Sequence, residues 1–196
     1  SSDYMIGLVN SLIEFYLLDA GKGKMNVTVF RPLSLFDEIV KLHTPSVRKE
    51  GLTLCTDFEG LDTVVEGDRP RIMQIANNLL SNAIKYTNEG GQIEVSFKRG
   101  TMKDIVPRYE TVHTEGSIPA EQPVCILTVK DTGVGISTES IRLIYERFFQ
   151  TKGTSQSHLG SGIGLAIVKS IVLQHKGVIV VSSERMTGTE FIVALP

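Results

Sequence analysis

The chain has 196 residues, enough for one substantial domain with an appendage. Its 41% hydrophobic and 21% charged content is that of a soluble globular protein, and a net charge of -2 leaves no basic footprint for a nucleic-acid partner. Cys55 and Cys125 stand far apart in apolar surroundings without CxxC spacing, which reads as reduced core cysteines rather than a disulfide or a metal site.

In chain order, residues 4–18 carry Met5, Leu8, Val9, Leu12, Ile13, Phe15, Tyr16 and Leu17 at helical spacing, stopped by Gly21 and Gly23. A terminal helix this apolar either lies against its own domain or belongs to a bundle or dimer whose partner helix is elsewhere. No apolar run approaches the roughly 20 residues of a membrane helix. The opening Ser1-Ser2-Asp3, without Met, reads as the middle of a longer protein. Val27 to Phe30 is a strand, and Ser34 or Asp37 starts a helix with Leu35, Phe36, Ile39, Val40 and Leu42 on one face. Pro45 predicts a kink or restart in it, and Gly51 ends it.

Residues 52–58 and 63–66 are strands. Asp68 caps the next helix, with Pro70 in its first turn and Ile72, Ile75, Ala76, Leu79, Leu80, Ala83 and Ile84 facing inward. Gln92 to Lys98 alternates as a half-buried strand. Residues 100–123 lack apolar periodicity and contain Pro107, Gly116, Pro119 and Pro123, which predicts an exposed insertion. Val124 to Asp131 is a central strand, and Ser137 caps a short helix over 138–146. A polar run from Gln150 to His158 precedes a helix over 163–175. Strands at 177–183 and 189–195 then form a hairpin containing Gly188. Strands come mostly in neighbouring pairs, without regular βαβ alternation. The fold class is therefore α/β, a two-layer sandwich with a mixed, mostly antiparallel sheet covered on one face by helices.

Asn78, Asn82, Lys85 and Tyr86 fall on adjoining positions of the helix 69–87. Asn offers a neutral oxygen to a hard cation such as Mg2+, which typically keeps few protein ligands alongside phosphates. Lys supplies a mobile positive charge for phosphate oxygens. The clusters Asp131-Thr132-Gly133-Val134-Gly135-Ile136 and Gly160-Ser161-Gly162-Ile163-Gly164-Leu165-Ala166 allow close backbone approach to a ligand.

In this order and with these gaps, Asn78 to Thr87 resembles the N box of sensor histidine kinases, and Asp131 to Ile136 their G1 box. Tyr145-Glu146-Arg147-Phe148-Phe149 resembles the F box, Gly160 to Ala166 the G2 box, and Gly188-Thr189 the closing Gly-Thr element. The resemblance covers about residues 26–196 and implies the Bergerat fold of the ATP-binding domain in two-component systems. It implies that Asp131 accepts the adenine amino group, with Gly133, Gly135, Ile136 and Thr189 around the base. It makes Asn82 the Mg2+ ligand and sets Asn78 near the γ-phosphate. Lys85 and Tyr86 would contact the phosphates or ribose, and Arg147 the γ-phosphate. Phe149 would anchor a lid over about 148–162, whose Gly160, Gly162, Gly164 and Leu165 fold over the triphosphate. The catalytic residues would be Asn78, Lys85 and Arg147, and the cofactors ATP and Mg2+.

The acceptor histidine of the family has no counterpart here, since His43, His113, His158 and His175 all lack its helical context. The resemblance makes residues 1–23 the end of a dimerisation helix and 24–196 the catalytic domain. The full-length protein would be a homodimer through those helices. Its partner would be a response regulator receiver domain, with no nucleic acid and no direct membrane contact by this stretch. The expected setting is the cytoplasmic side of a membrane-bound sensor. Hydrolases of the gyrase, heat-shock chaperone and mismatch-repair type generally carry Glu where Asn78 stands, and Asn cannot act as their general base. The alternatives are such an ATPase or an inactive nucleotide-sensing module.

Overall fold

A computed structural model describes residues 2–21, 23–59, 63–150 and 161–196. In chain order the elements are α1 (Ser2–Asp19), β1 (Thr28–Phe30), α2 (Pro32–Lys49), β2 (Thr53–Phe58), β3 (Val65–Gly67), α3 (Arg69–Tyr86), β4 (Gln92–Gly100), β5 (Thr111–Glu115), β6 (Val124–Asp131), α4 (Gly164–Gln174), β7 (Val178–Glu184) and β8 (Gly188–Leu195). Six strands form one sheet in the order β2-β4-β6-β8-β7-β5, in which β2 and β4 run parallel and every other pair is antiparallel. Strands β1 and β3 make a separate antiparallel ribbon.

Alternation along the strands divides the sheet into two faces. Ile93, Val95, Phe97, Leu127, Val129, Ile179, Val181, Phe191 and Val193 face the helices in the main core. Val124, Ile126, Val178, Val180, Ile192 and Ala194 form a second cluster on the opposite face. The mixed two-layer sandwich expected from periodicity is the observed fold.

Helix α3 follows its sequence signals closely. The Arg71 N–H donates to Asp68 Oδ1 at 3.2 Å, Pro70 occupies the first turn, and Ile75, Ala76, Leu79, Leu80, Ala83 and Ile84 are buried. Helix α2 departs from them. It starts at Pro32, whose fixed φ suits a first helical residue, and it runs through Pro45 to Lys49 without a restart. Buried Val47 beyond the proline holds the last turn against the core.

Two expectations for the connecting segments fail. Residues 100–123, expected as an exposed insertion, join the sheet: they contain a 3-10 turn at Met102–Asp104 and strand β5, which pairs with β7 and forms one sheet edge. Met102, Ile105 and Ile118 of the same segment cover the outer apolar cluster. The helix expected over 138–146 is instead a series of turns. Ser137 Oγ does accept the Ser140 N–H at 3.2 Å, but Leu143 and Glu146 then close onto Ser140 and Leu143, three residues back. Ser137, Thr138 and Ser140 compete locally for backbone groups, while Ile141, Ile144 and Tyr145 bury into the core.

Helix α1 lies in part against its own domain. Phe15 and Leu18 are buried, and Gln174 Nε2 donates to the Leu18 carbonyl at 2.9 Å, so one face lies on its own domain. Met5, Ile6, Val9, Ile13, Tyr16 and Leu17 remain exposed on the other.

Candidate functional site

The strand register builds the floor of the site. Asp131 ends β6 opposite Thr189 of β8, on the face that carries the main core. A cleft open to solvent rises from these two residues and Phe191. Asn82, Ala83 and Tyr86 of α3 form one wall, and Val134, Gly135 and Ile136 another. Ile144, Phe149 and Gln150 of the turn segment, with Leu165 at the start of α4, complete the rim.

Asp131 is only 6% exposed, and its Oδ1 accepts the Gly133 N–H at 2.8 Å. Burial pushes its carboxyl up to about 6, against the opposing pull of backbone hydrogen bonds from Gly133 and Thr189. Among the described residues lining the cleft it is the sole carboxylate. Gly135 sits at φ 68°, and a Cβ there would lie 2.1 Å from the Glu184 carbonyl oxygen. The loop can thus pass tightly under the β7–β8 hairpin only with glycine at this position.

Asn82 faces the cleft, whereas Asn78, one turn earlier, does not line it. Asn78 Nδ2 donates to the Gln74 carbonyl at 3.0 Å, and its Oδ1 abuts Gly164, where an added Cβ would come within 2.7 Å. Asn78 therefore seats the first turn of α4. The Lys85 ammonium lies 4.7 Å from the centroid of the Tyr86 ring, beside the cleft rather than within it, and makes no ion pair among the described residues. Gly162 ties the two ends of the expected lid, since its carbonyl accepts the Phe148 N–H at 2.9 Å. Gly160, His158 and the rest of 151–160 lie outside the described residues.

Arg147 is not brought to this site. Its guanidinium lies 5.2 Å from the Phe15 ring centroid and 5.7 Å from that of Tyr16, both on α1. Phe148 adopts φ 61° and is exposed, a reversal that turns Phe149 into the cleft.

Sequence reasoning missed Ser183. It is wholly buried at the end of β7, and its Oγ accepts the Ile136 N–H at 2.8 Å. The same hydroxyl meets the Gly188 carbonyl at 2.8 Å and Thr189 Oγ1 at 2.9 Å. It pins the loop 133–136 to the hairpin that carries Thr189. The available signal was a pair of serines closing an otherwise apolar strand before a hairpin. Ser183→Ala leaves the Ile136 N–H and the Gly188 carbonyl without this partner, a loss of about 1–3 kcal/mol. A fall in melting temperature of roughly 2–4 °C per kcal/mol, read by thermal unfolding, is the expected result.

No group of three or more His, Cys, Asp or Glu side chains among the described residues is arranged to hold a metal. A hard cation sharing its shell with ligand phosphates fits the single amide oxygen of Asn82; a metal needing a full protein cage does not.

Residues 67–196 match the family model described as histidine kinase-, DNA gyrase B-, and HSP90-like ATPase. Along its whole length the chain is 33% identical to the autoinducer 2 sensor kinase/phosphatase LuxQ of Vibrio cholerae and 30% identical to histidine kinase 5 of Arabidopsis thaliana. It spans only 21% and 22% of those proteins, respectively. Among solved structures, the nucleotide-free catalytic domain of histidine kinase ThkA superposes with a TM-score of 0.67 at 28% identity, covering 88% of this chain and 98% of that one. Full-length ShkA in complex with AMPPNP shares the fold, with a TM-score of 0.78 at 24% identity over 99% of this chain and 36% of its own. With the cleft placed between α3, β6 and β8 and the family model covering that whole region, the chain belongs to the histidine kinase-, DNA gyrase B- and HSP90-like ATPase family.

Proposed function

We propose that this chain is the ATP-binding catalytic domain of a sensor histidine kinase. It would transfer the γ-phosphate of ATP to a histidine on a dimerisation helix, for relay to a response regulator. The observation that carries this reading is the buried Asp131 carboxylate at the floor of a cleft whose α3 wall presents Asn82. An acceptor at the base of an apolar slot suits the amino group of adenine, and an amide oxygen on the wall suits a Mg2+ bridging phosphates. Phosphoryl transfer asks the protein mainly for positioning and charge neutralisation, and Asn82, Lys85 and Tyr86 stand where α3 can supply both. Asn78 supports the start of α4, so its part in catalysis is to hold the first turn that faces the phosphates.

Hydrolysis is disfavoured because, among the described residues, no lining side chain besides Asp131 could act as a carboxylate base for water. The relatives named as histidine kinases, and a structure of ThkA in complex with the response regulator protein TrrA, support transfer and a receiver-domain partner. The exposed apolar face of α1 supports dimerisation through that helix in the parent protein, for which we keep the expectation of a membrane-bound sensor with this domain on its cytoplasmic side.

The test is an assay in trans with radiolabelled ATP and Mg2+. The isolated chain is expected to acquire no acid-labile label, whereas a separately supplied dimerisation hairpin bearing an acceptor histidine is expected to acquire it. Label on the isolated chain would overturn the placement of the acceptor outside it. Phosphate release without transfer would favour the hydrolase reading.

A further inference from the structure

Strand β5 breaks the pattern of the sheet it joins. Its register sets Thr111 opposite Ser183, His113 opposite Val181 and Glu115 opposite Ile179, so all three project to the face where the other strands carry the main core. Yet they are polar, and each meets a group on the elements packed against that face. Thr111 Oγ1 lies 3.3 Å from Thr138 Oγ1. One oxygen of Glu115 takes both His113 Nε2 at 2.9 Å and the Lys169 ammonium of α4 at 3.1 Å. Those two groups flank Tyr145, with the His113 ring centroid 5.9 Å from the Tyr145 ring and the Lys169 nitrogen also 5.9 Å from it.

Tyr145 is 5% exposed, and its hydroxyl has no hydrogen-bond partner among the described residues. Its place therefore depends on what clamps the ring. Burial raises the Glu115 carboxyl, but hydrogen bonds from His113 and Lys169 hold it below the usual range, so the clamp carries its charge at neutral pH. The residue before Tyr145 and the residue four beyond it, Ile144 and Phe149, both line the cleft. What fixes Tyr145 fixes that rim.

We propose that the segment 101–123 supplies, through β5, positioning residues for the cleft. His113 and Glu115, acting through Tyr145 and Lys169, hold the turn segment against the nucleotide site. This role rests on the nucleotide reading above. Glu115 is the keystone, because loss of its charge releases both groups that flank the ring.

The experiment is isothermal titration of the whole chain with ADP at a temperature well below every variant's melting transition. Glu115→Gln, which keeps the side chain's size, and His113→Ala are expected to raise the Kd about three- to tenfold, the range of coupling through a packed network. In the trans assay they are expected to raise KM for ATP with little change in kcat. Thr114→Ala, on the outward face of the same strand, is expected to leave the Kd within twofold of the unaltered chain. The charge exchange Glu115→Lys with Lys169→Glu is expected to bind more tightly than either single variant. Unchanged affinity in Glu115→Gln and His113→Ala would overturn the proposal, as would a loss shared equally by Thr114→Ala. If the unaltered chain bound no ADP, the nucleotide reading itself would fail, a result distinct from either.

Discussion

Replacing Asp131 by Ala is expected to weaken ATP binding by at least about a hundredfold. Hydrogen bonds to a charged acceptor contribute about 1.5–3 kcal/mol, and a base amino group left unpaired at a buried floor costs about 1–3 kcal/mol more. Together these amount to roughly 2.5–6 kcal/mol, against about 2.7 kcal/mol for a hundredfold change in Kd. The Gly133 N–H would also lose its acceptor, so Asp131→Asn is the sharper variant. It keeps an oxygen for Gly133 while removing the charge and presenting an amide donor.

The charge has a stability consequence of the opposite sign. The carboxyl of Asp131 is raised from 3.8 to about 6, so the folded chain binds this proton more tightly than the unfolded one. That contribution is fully present below about pH 3.8 and is lost as pH rises through about 6. At neutral pH the buried charge therefore costs on the order of 3 kcal/mol. Asp131→Asn is expected to melt no lower than the unaltered chain at neutral pH, and higher if the new amide finds a partner, while its nucleotide affinity collapses. Affinity of the unaltered chain is expected to fall about tenfold per pH unit below about 6. The asparagine variant, titrated in parallel, separates that step from protonation of the phosphates. Calorimetric Kd values within threefold of the unaltered chain in either variant would remove Asp131 from the site.

The parts of this site legible in the sequence are those whose geometry is local. Asp131 follows from a strand end and a glycine turn, and Asn82 from its place on an amphipathic helix whose cap and inward face are explicit. Helical spacing alone could not separate Asn82 from Asn78 and Lys85, because α3 is flanked on one side by the cleft and on another by the start of α4. Only the packing of α4, settled by Gly164 against Asn78, decides which asparagine faces the cleft. The position of Arg147 against α1 is not legible in the sequence for a similar reason. Its partners Phe15 and Tyr16 lie more than a hundred residues earlier, on a helix that could equally have packed elsewhere.

Strand β5 was illegible because both its faces are polar or exposed, leaving no period-two apolar signal. Its inner residues answer charged and aromatic groups on α4 and the turn segment rather than the core. Ser183 was hidden by the opposite circumstance: a short polar side chain inside a strong strand pattern draws no attention until Ile136, 47 residues away, and Gly188 and Thr189 across the hairpin are assembled around it.

The second large effect concerns Asn82. When Mg2+ is bound with the nucleotide, it supplies charge neutralisation for the phosphates, and the residue fitted to hold it from the protein is Asn82 on the α3 wall of the cleft. A bound metal is worth several kcal/mol of transition-state stabilisation in phosphoryl transfer, and losing the protein oxygen that positions it forfeits part of that. Asn82→Ala is thus expected to lower the rate of transfer to a supplied acceptor by about a hundredfold or more. Its affinity for ADP in the presence of a chelator is expected to stay within a few-fold, since the floor at Asp131 and Thr189 is untouched. The contrast between these readouts distinguishes a metal ligand from a residue that merely shapes the wall, which would weaken binding with and without Mg2+ alike. Asn82→Asp keeps the oxygen and adds charge, so it is expected to retain Mg2+-dependence of nucleotide affinity that Asn82→Ala lacks. Should Asn82→Ala transfer phosphate at the unaltered rate and with the same Mg2+ requirement, the metal would have to be held by the phosphates and water alone, and the asparagine's place on the cleft wall would need another purpose.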